Sequence, residues 1–204
     1  SALPARSEMC IRDSIETIEF EHVWFSYNNN DIYALEDFTL NIKAGEFRGI
    51  VGPSGSGKST LLALLMGVYK PTRGTIYING INITKYDNSV LRHLMGYVFQ
   101  QAYLFKGSIR DNLTLFDTSI SNEEMINAAK QVNLDFMIEQ LPEGYETPVG
   151  YLGSLLSDGQ KQLLAFGRTL IKKTPILLLD EATANIDSHT EKQIQASIEN
   201  IRGS

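Results

Sequence analysis

Gly52-Pro53-Ser54-Gly55-Ser56-Gly57-Lys58-Ser59-Thr60 decides the fold of this 204-residue chain. The stretch matches G-x-x-x-x-G-K-[ST] and stands between a buried-strand pattern, Phe47 to Val51, and an apolar helical run that begins near Lys58. Glycines at these positions let successive backbone N–H groups converge on phosphate, and the helix N-terminus adds positive potential of about half a charge. Lys58 is expected to reach the β- and γ-phosphates of a nucleoside triphosphate and the Ser59 hydroxyl to ligate Mg²⁺. Gly52, Ser54, Gly55, Ser56, Gly57 and Thr60 complete the expected cradle. The alternative is a glycine-rich turn that binds nothing; the strand before it and the helix after it count against that.

Ile176-Leu177-Leu178-Leu179-Asp180-Glu181 is the companion signal, four apolar strand residues ending in two carboxylates. Asp180 is expected to hold Mg²⁺ through water, and Glu181 to polarise the attacking water as general base. A strand running into a solvated acidic turn would look the same in isolation. Paired with the phosphate loop, the two acids point to binding and hydrolysis of a nucleoside triphosphate with Mg²⁺; the resemblance described below implies that the nucleotide is ATP.

Outward from these sites the chain changes character twice. Ile18 and Phe20 alternate with Glu19 and Glu21, and Val23, Phe25 and Tyr27 resume the alternation after a phase shift at His22, which predicts a bulged strand. Asn28 to Asp31 reads as a turn, Phe38, Leu40 and Ile42 as a second strand, and Thr75 to Ile83 as a hairpin across Asn79-Gly80. From Ser121, which makes a capping box with Glu124, the pattern turns helical to about Tyr145, with Met125, Ala128, Ala129 and Val132 on one face. A helix from Ser157, the 176–179 strand, and a helix with Ile194, Ile198 and Ile201 on one stripe return to an α/β pattern. The order predicts an α/β phosphate-loop core with an antiparallel β subdomain, interrupted by a helical subdomain at about 102–172. Residues 1–14 have no apolar period and resemble translated sequencing-adapter sequence, so they are set aside from fold reasoning as a non-native leader, leaving 15–204 as the domain.

Composition narrows the function classes. With 43% apolar and 21% charged residues the chain can bury one sizeable core. A net charge of −6 supplies no basic stripe to displace counterions, which argues against nucleic-acid partners. No apolar run approaches the roughly 20 residues that cross a bilayer, so any membrane span comes from another segment or subunit. Cys10 is the only cysteine, which leaves no disulfide framework or cysteine metal cluster within the chain. His22 and His93 lack partners at ligand spacing and read as structural, and His189 as a solvated helix-start residue.

Leu156-Ser157-Asp158-Gly159-Gln160 lies about twenty residues before the acidic strand end and resembles the L-S-G-G-Q signature of ATP-binding cassette proteins. Ser157 with Gln160 also reads as a capping box, so a structural cap is the bland alternative. The resemblance runs from about Ile18 to the end of the chain, with several motifs in the family's order. It implies that Tyr27 stacks on adenine, although an edge-strand tyrosine without a ligand would look identical. It further implies that Gln100, whose neighbour Gln101 could be confused with it, contacts Mg²⁺ and the attacking water, and that Ala184 to Asp187 crosses a dimer interface. In that family two cassettes pair head to tail, and Ser157, Gly159 and Gln160 would act in trans on the nucleotide held by a second cassette, in a homodimer or a heterodimer. Tyr103 to Leu113 and Leu141 to Gly150 are similar to exporter cassettes, which implies a motor at the cytoplasmic face of a membrane, joined to a transmembrane domain outside this chain.

Three departures qualify that reading. Tyr151 stands where exporters usually carry glutamate. Asp158 replaces the first signature glycine, and a carboxylate about 4 Å from a γ-phosphate charge would cost roughly 4 kcal/mol at an effective dielectric near 20. Either the chain belongs to a heterodimer with one weakened site, or Asp158 faces solvent at the helix start, where its charge suits the dipole. The family's switch histidine lies beyond the next strand after Asp187, and the chain ends at Ser204, so the domain is expected to be incomplete at its C-terminus. The alternatives to an exporter motor are a nucleotide-gated, weakly hydrolysing subunit of a heterodimer and a soluble cassette ATPase without a transport role.

Overall fold

The computed structural model describes residues 15–28, 32–53, 55–99, 101–150 and 153–180, the backbone of 6–11, and positions 192, 196 and 199. The chain forms two compact units, one of residues 1–97 with 174–181 and one of residues 98–173 with 182–204.

Among the described residues the first unit carries eight strands, β1 (Arg6–Ile11), β2 (Thr17–Phe25), β3 (Leu35–Lys43), β4 (Phe47–Val51), β5 (Arg73–Ile78), β6 (Ile81–Asn82), β7 (Met95–Val98, its last residue at the boundary) and β8 (Ile176–Asp180). Two helices accompany them, α1 (Lys58–Leu65) and α2 (Asn88–Leu94). The strands make two four-stranded sheets, ordered β3-β2-β5-β6 and β4-β1-β8-β7. In the first sheet β2 pairs antiparallel with both β3 and β5, burying Ile18, Phe20, Val23 and Phe25. The phase shift at His22 is a true irregularity: the register with β3 slips between Phe20 and Val23, and His22 adopts φ +48°. The hairpin at Asn79-Gly80 also forms, both residues having positive φ as a two-residue type I′ turn demands.

Arg6–Ile11 departs from the sequence expectation. This stretch, set aside as a leader, forms a strand between β4 and β8, antiparallel to both. Strand pairing needs extended backbone with N–H and C=O groups on both edges, and no proline interrupts Arg6–Ile11. An apolar period, the criterion applied to the sequence, is not a condition for such pairing. Because β1 opposes both neighbours, β4 and β8 run parallel to each other, and β8 is buried along its whole length, as its unbroken apolar run requires.

Helix α1 is apolar on nearly every side: Leu61, Leu62, Leu64 and Leu65 are all buried, each worth about 1.5–3 kcal/mol in transfer terms. They share one core with Ile18 and Phe20 of β2, Ile42 of β3, Ile76 and Ile78 of β5 and Ile176 and Leu178 of β8. That core fixes where the helix begins, and so where the phosphate loop stands.

The second unit is helical, with α3 (Ile109–Thr114), α4 (Asn122–Gln131), α5 (Asp135–Glu139) and α6 (Asp158–Ile171). Helix α6 packs against α3 and α4. The expected capping box at Ser121 forms, Glu124 N donating to Ser121 Oγ at 3.2 Å and Ser121 N to Glu124 Oε2 at 3.3 Å. Ser108 and Asp111 make another at α3, an S-x-x-D spacing equally readable in the sequence. Met125, Ala128, Ala129 and Val132 are buried as the helical stripe predicts. Arg168 ties α6 to α3 and to the segment before α3, donating to Asn112 O, Tyr103 O and Asn112 Oδ1 at 2.6–2.7 Å. Burial pulls its pKa down to about 10, still well above neutral pH. Ile194, Ile198 and Ile201 lie outside the described residues, though positions 192, 196 and 199 are helical. No helix among the described residues is long and apolar enough to cross a membrane.

Candidate nucleotide site

The phosphate loop leaves β4 and returns its chain into α1 through Gly57, which caps the helix in the left-handed region at φ +85°. A Cβ at Gly57 would sit 2.4 Å from Ala34 O and 2.9 Å from Leu35 Cδ2, so the position admits glycine alone for space as well as for conformation. At Gly52 an added Cβ would meet Ser56 Oγ at 2.5 Å. Lys58, only 5% exposed, turns its ammonium back into the loop, donating to Gly52 O and Pro53 O at 2.9 Å and reaching Ser56 Oγ at 3.4 Å. These three oxygens belong to the loop itself, so the ammonium is held against it. A backbone too close for side chains around a fixed ammonium fits a phosphate chain.

Ser59 follows in the first turn of α1, exposed, and Thr60 is buried beside it. Asp180 ends β8 at 9% exposure, and α1 packs against that strand, so the hydroxyl and the carboxylate belong to one unit and one core. Their donor set, hydroxyl and carboxylate oxygen, is the chemistry a hard divalent cation such as Mg²⁺ takes. Asp180 has a partner the sequence did not reveal: Tyr97 Oη donates to its Oδ2 at 2.9 Å. Burial, and after it the negative charge of Asp180, push the Tyr97 phenol well above the usual tyrosine range, so it remains a donor across the physiological range.

Tyr27, expected to face adenine, is 56% exposed at the end of β2. Its hydroxyl pairs with Thr60 Oγ1 at 2.6 Å, which joins the aromatic to the first turn of α1. Its ring stands edge-on to Phe25 and to Tyr69, with centroids 4.9 and 5.5 Å away. Tyr69 is thus a second exposed aromatic beside Tyr27, one that sequence reasoning did not single out.

In the second unit, Ser157 and Gln160 make the full capping box of α6: Gln160 N donates to Ser157 Oγ at 3.2 Å and Ser157 N to Gln160 Oε1 at 2.9 Å. Gly159 is buried in the first turn. Asp158 has an 81% exposed side chain and pairs with Lys161 Nζ at 2.9 Å, one turn along. In the single chain its charge faces solvent with a cation beside it. Ser54, Gln100, Tyr151, Glu181, Ala184 to Asp187 and His189 lie outside the described residues.

The family model described as ABC transporter matches residues 35–184, a span that takes in the phosphate loop, the signature and the acidic strand end. The chain belongs to the ABC transporter family. Its ATPase domain is 42% identical over 188 residues to a probable ABC transporter ATP-binding/permease protein of Haemophilus influenzae, covering 92% of this chain and 34% of that protein. It is 40% identical over 192 residues to the beta-(1→2)glucan export ATP-binding/permease protein NdvA of Bartonella quintana, covering 94% and 32%. Among solved structures it resembles a bacterial Atm1-family ABC exporter with ATP bound, at a TM-score of 0.83 and 36% identity, over 95% of this chain and 34% of that one. The chain thus spans about a third of the length of the relatives it matches, and it is the ATP-binding portion of such an architecture.

Proposed function

We propose that this ABC domain is the motor of an exporter: it binds MgATP, hydrolyses it to ADP and phosphate, and drives a substrate outward through a transmembrane domain joined to it at the cytoplasmic face. The observation that carries the reading is the glycine-only loop closed around the buried Lys58 ammonium, in the same unit as Asp180. Two of the relatives bear names that combine ATP binding with a permease, and one of these and the solved structure carry export or exporter in the printed description, which supports the direction of transport.

In this reading Lys58 and the backbone N–H groups of residues 54–58 hold the β- and γ-phosphates, and Ser59, Asp180 and Gln100 would hold the cation. The bound Mg²⁺ supplies neutralisation of charge developing on the phosphates. Glu181 orients and deprotonates the attacking water, and Tyr27 gives the base a flat apolar face. Ser157, Gly159 and Gln160 serve a second cassette's nucleotide, their capped helix start presenting an N-terminus to phosphate. Departure of the γ-phosphate removes those contacts and lets the pair open. Asp158, exposed and partnered by Lys161, is compatible with a competent signature, and this favours the motor over the weakly hydrolysing subunit.

The test is ATP hydrolysis by the full-length protein in proteoliposomes, with accumulation of a fluorescent lipid, a cationic dye or a labelled peptide measured in inside-out vesicles. Glu181→Gln is expected to retain ATP binding and lose hydrolysis and accumulation together; Lys58→Ala is expected to lose binding. Hydrolysis undiminished in both variants would refute the assignment.

A further inference from the structure

Tyr97 and Asp180 sit at corresponding ends of neighbouring strands, β7 and β8, and both belong to the first unit. Their contact, phenol Oη to carboxylate Oδ2 at 2.9 Å, has good geometry and is sheltered, since Asp180 is buried and Tyr97 partly so. A carboxylate at a strand end has one soft torsion left, rotation about its last carbon–carbon bond, whose wells are broad. A hydrogen bond to one named oxygen restricts that rotation. The donor's chemistry matters as much as its position: lysine or arginine there would offset the negative charge a divalent cation needs, whereas a neutral phenol orients the group and leaves its charge in place.

We propose that Tyr97 is a positioning residue for the cation site, holding the plane of the Asp180 carboxylate for Mg²⁺. The proposal rests on Asp180 being a metal-holding residue, as in the function proposed above. It assigns to Tyr97 no contact with nucleotide and no part in proton transfer.

The experiment compares ATP affinity with Mg²⁺ and with EDTA, by calorimetry on the full chain at low temperature, for wild type, Tyr97→Phe and Asp180→Asn. Removing the phenol oxygen alone is expected to reduce the Mg²⁺-dependent gain in ATP affinity by about tenfold, the lower end of the effect of partners behind a metal ligand. ATP affinity in EDTA is expected to stay within about twofold of wild type, which a general packing defect would not leave untouched. Asp180→Asn is expected to abolish the gain. If Asp180→Asn abolishes it and Tyr97→Phe leaves it unchanged, the positioning role is wrong and the metal assignment stands. If Asp180→Asn leaves it unchanged, the metal assignment fails and the positioning role falls with it. A Tyr97→Phe variant that loses affinity equally with and without Mg²⁺ also overturns the proposal.

Discussion

Replacing Gly57 by alanine separates two costs that phosphate loops usually combine. Gly55 and Gly57 both lie in the left-handed region, at φ +81° and +85°. For an alanine that conformation costs about 1–2 kcal/mol at either position. The surroundings differ: a Cβ at Gly55 meets nothing within 4 Å, whereas at Gly57 it lies 2.4 Å from the Ala34 carbonyl oxygen. Ala34 cannot retreat freely, because its own N–H donates to Phe25 O at 2.8 Å and so anchors it to the end of β2. Relieving the overlap moves either that anchored segment or the start of α1, a shift of the overpacking kind costing about 1–3 kcal/mol beyond the conformational term. At roughly 2–4 °C per kcal/mol for a domain of this size, Gly57→Ala should melt about 2–12 °C below Gly55→Ala in the absence of nucleotide. Thermal unfolding followed by far-ultraviolet circular dichroism measures the difference directly. A Gly57→Ala protein as stable as Gly55→Ala would mean that the close approach to Ala34 carries no cost, and the account of the loop as packed to exclude side chains would fail.

Three further outcomes are expected. Tyr27→Ala should weaken ATP binding by about 5- to 100-fold, from a stacking contribution of about 1–3 kcal/mol, and Tyr27→Phe should keep most of the affinity while losing only the bond to Thr60, as measured by fluorescent-nucleotide titration. Asp158→Gly should change hydrolysis by the assembled transporter less than about threefold, because its carboxylate is exposed and paired with Lys161; the unscreened repulsion of about 4 kcal/mol would correspond to a rise near a thousandfold. Arg168→Lys should destabilise the helical unit by about 2–4 kcal/mol in urea unfolding, since a single ammonium cannot reproduce the planar fork that reaches Asn112 O, Tyr103 O and Asn112 Oδ1 together.

The parts of the fold that could be read in advance were those fixed by local chemistry. The bulge at His22, the Asn79-Gly80 turn and the capping boxes at Ser121 and Ser157 are each decided by residues within a few positions of one another, and all four formed. The phosphate loop was legible for the same reason. Arg6–Ile11 failed this test because its pairing is with β4 and β8, far away in the chain, and backbone pairing leaves no obligatory mark on the side-chain pattern. The pairing of Asp158 with Lys161 was available in advance as an i, i+3 spacing at the helix start.

Tyr97 marks the limit of such reading more sharply. On a four-residue strand, between Gly96 and Val98, a tyrosine is indistinguishable from core packing, and its partner is 83 positions further on. What selects it is the topology: β7 lies beside β8, so Tyr97, next to last in its strand, meets Asp180 at the end of the other. The same strand order that sets Asp180 beside β7 therefore supplies its hydrogen-bond donor, and a chain that altered the order would have to supply that donor from elsewhere. Residues that act on phosphate announce themselves by spacing, because the loop that holds them is continuous; residues that act on those residues come from neighbouring strands and become visible only once the sheet is assembled.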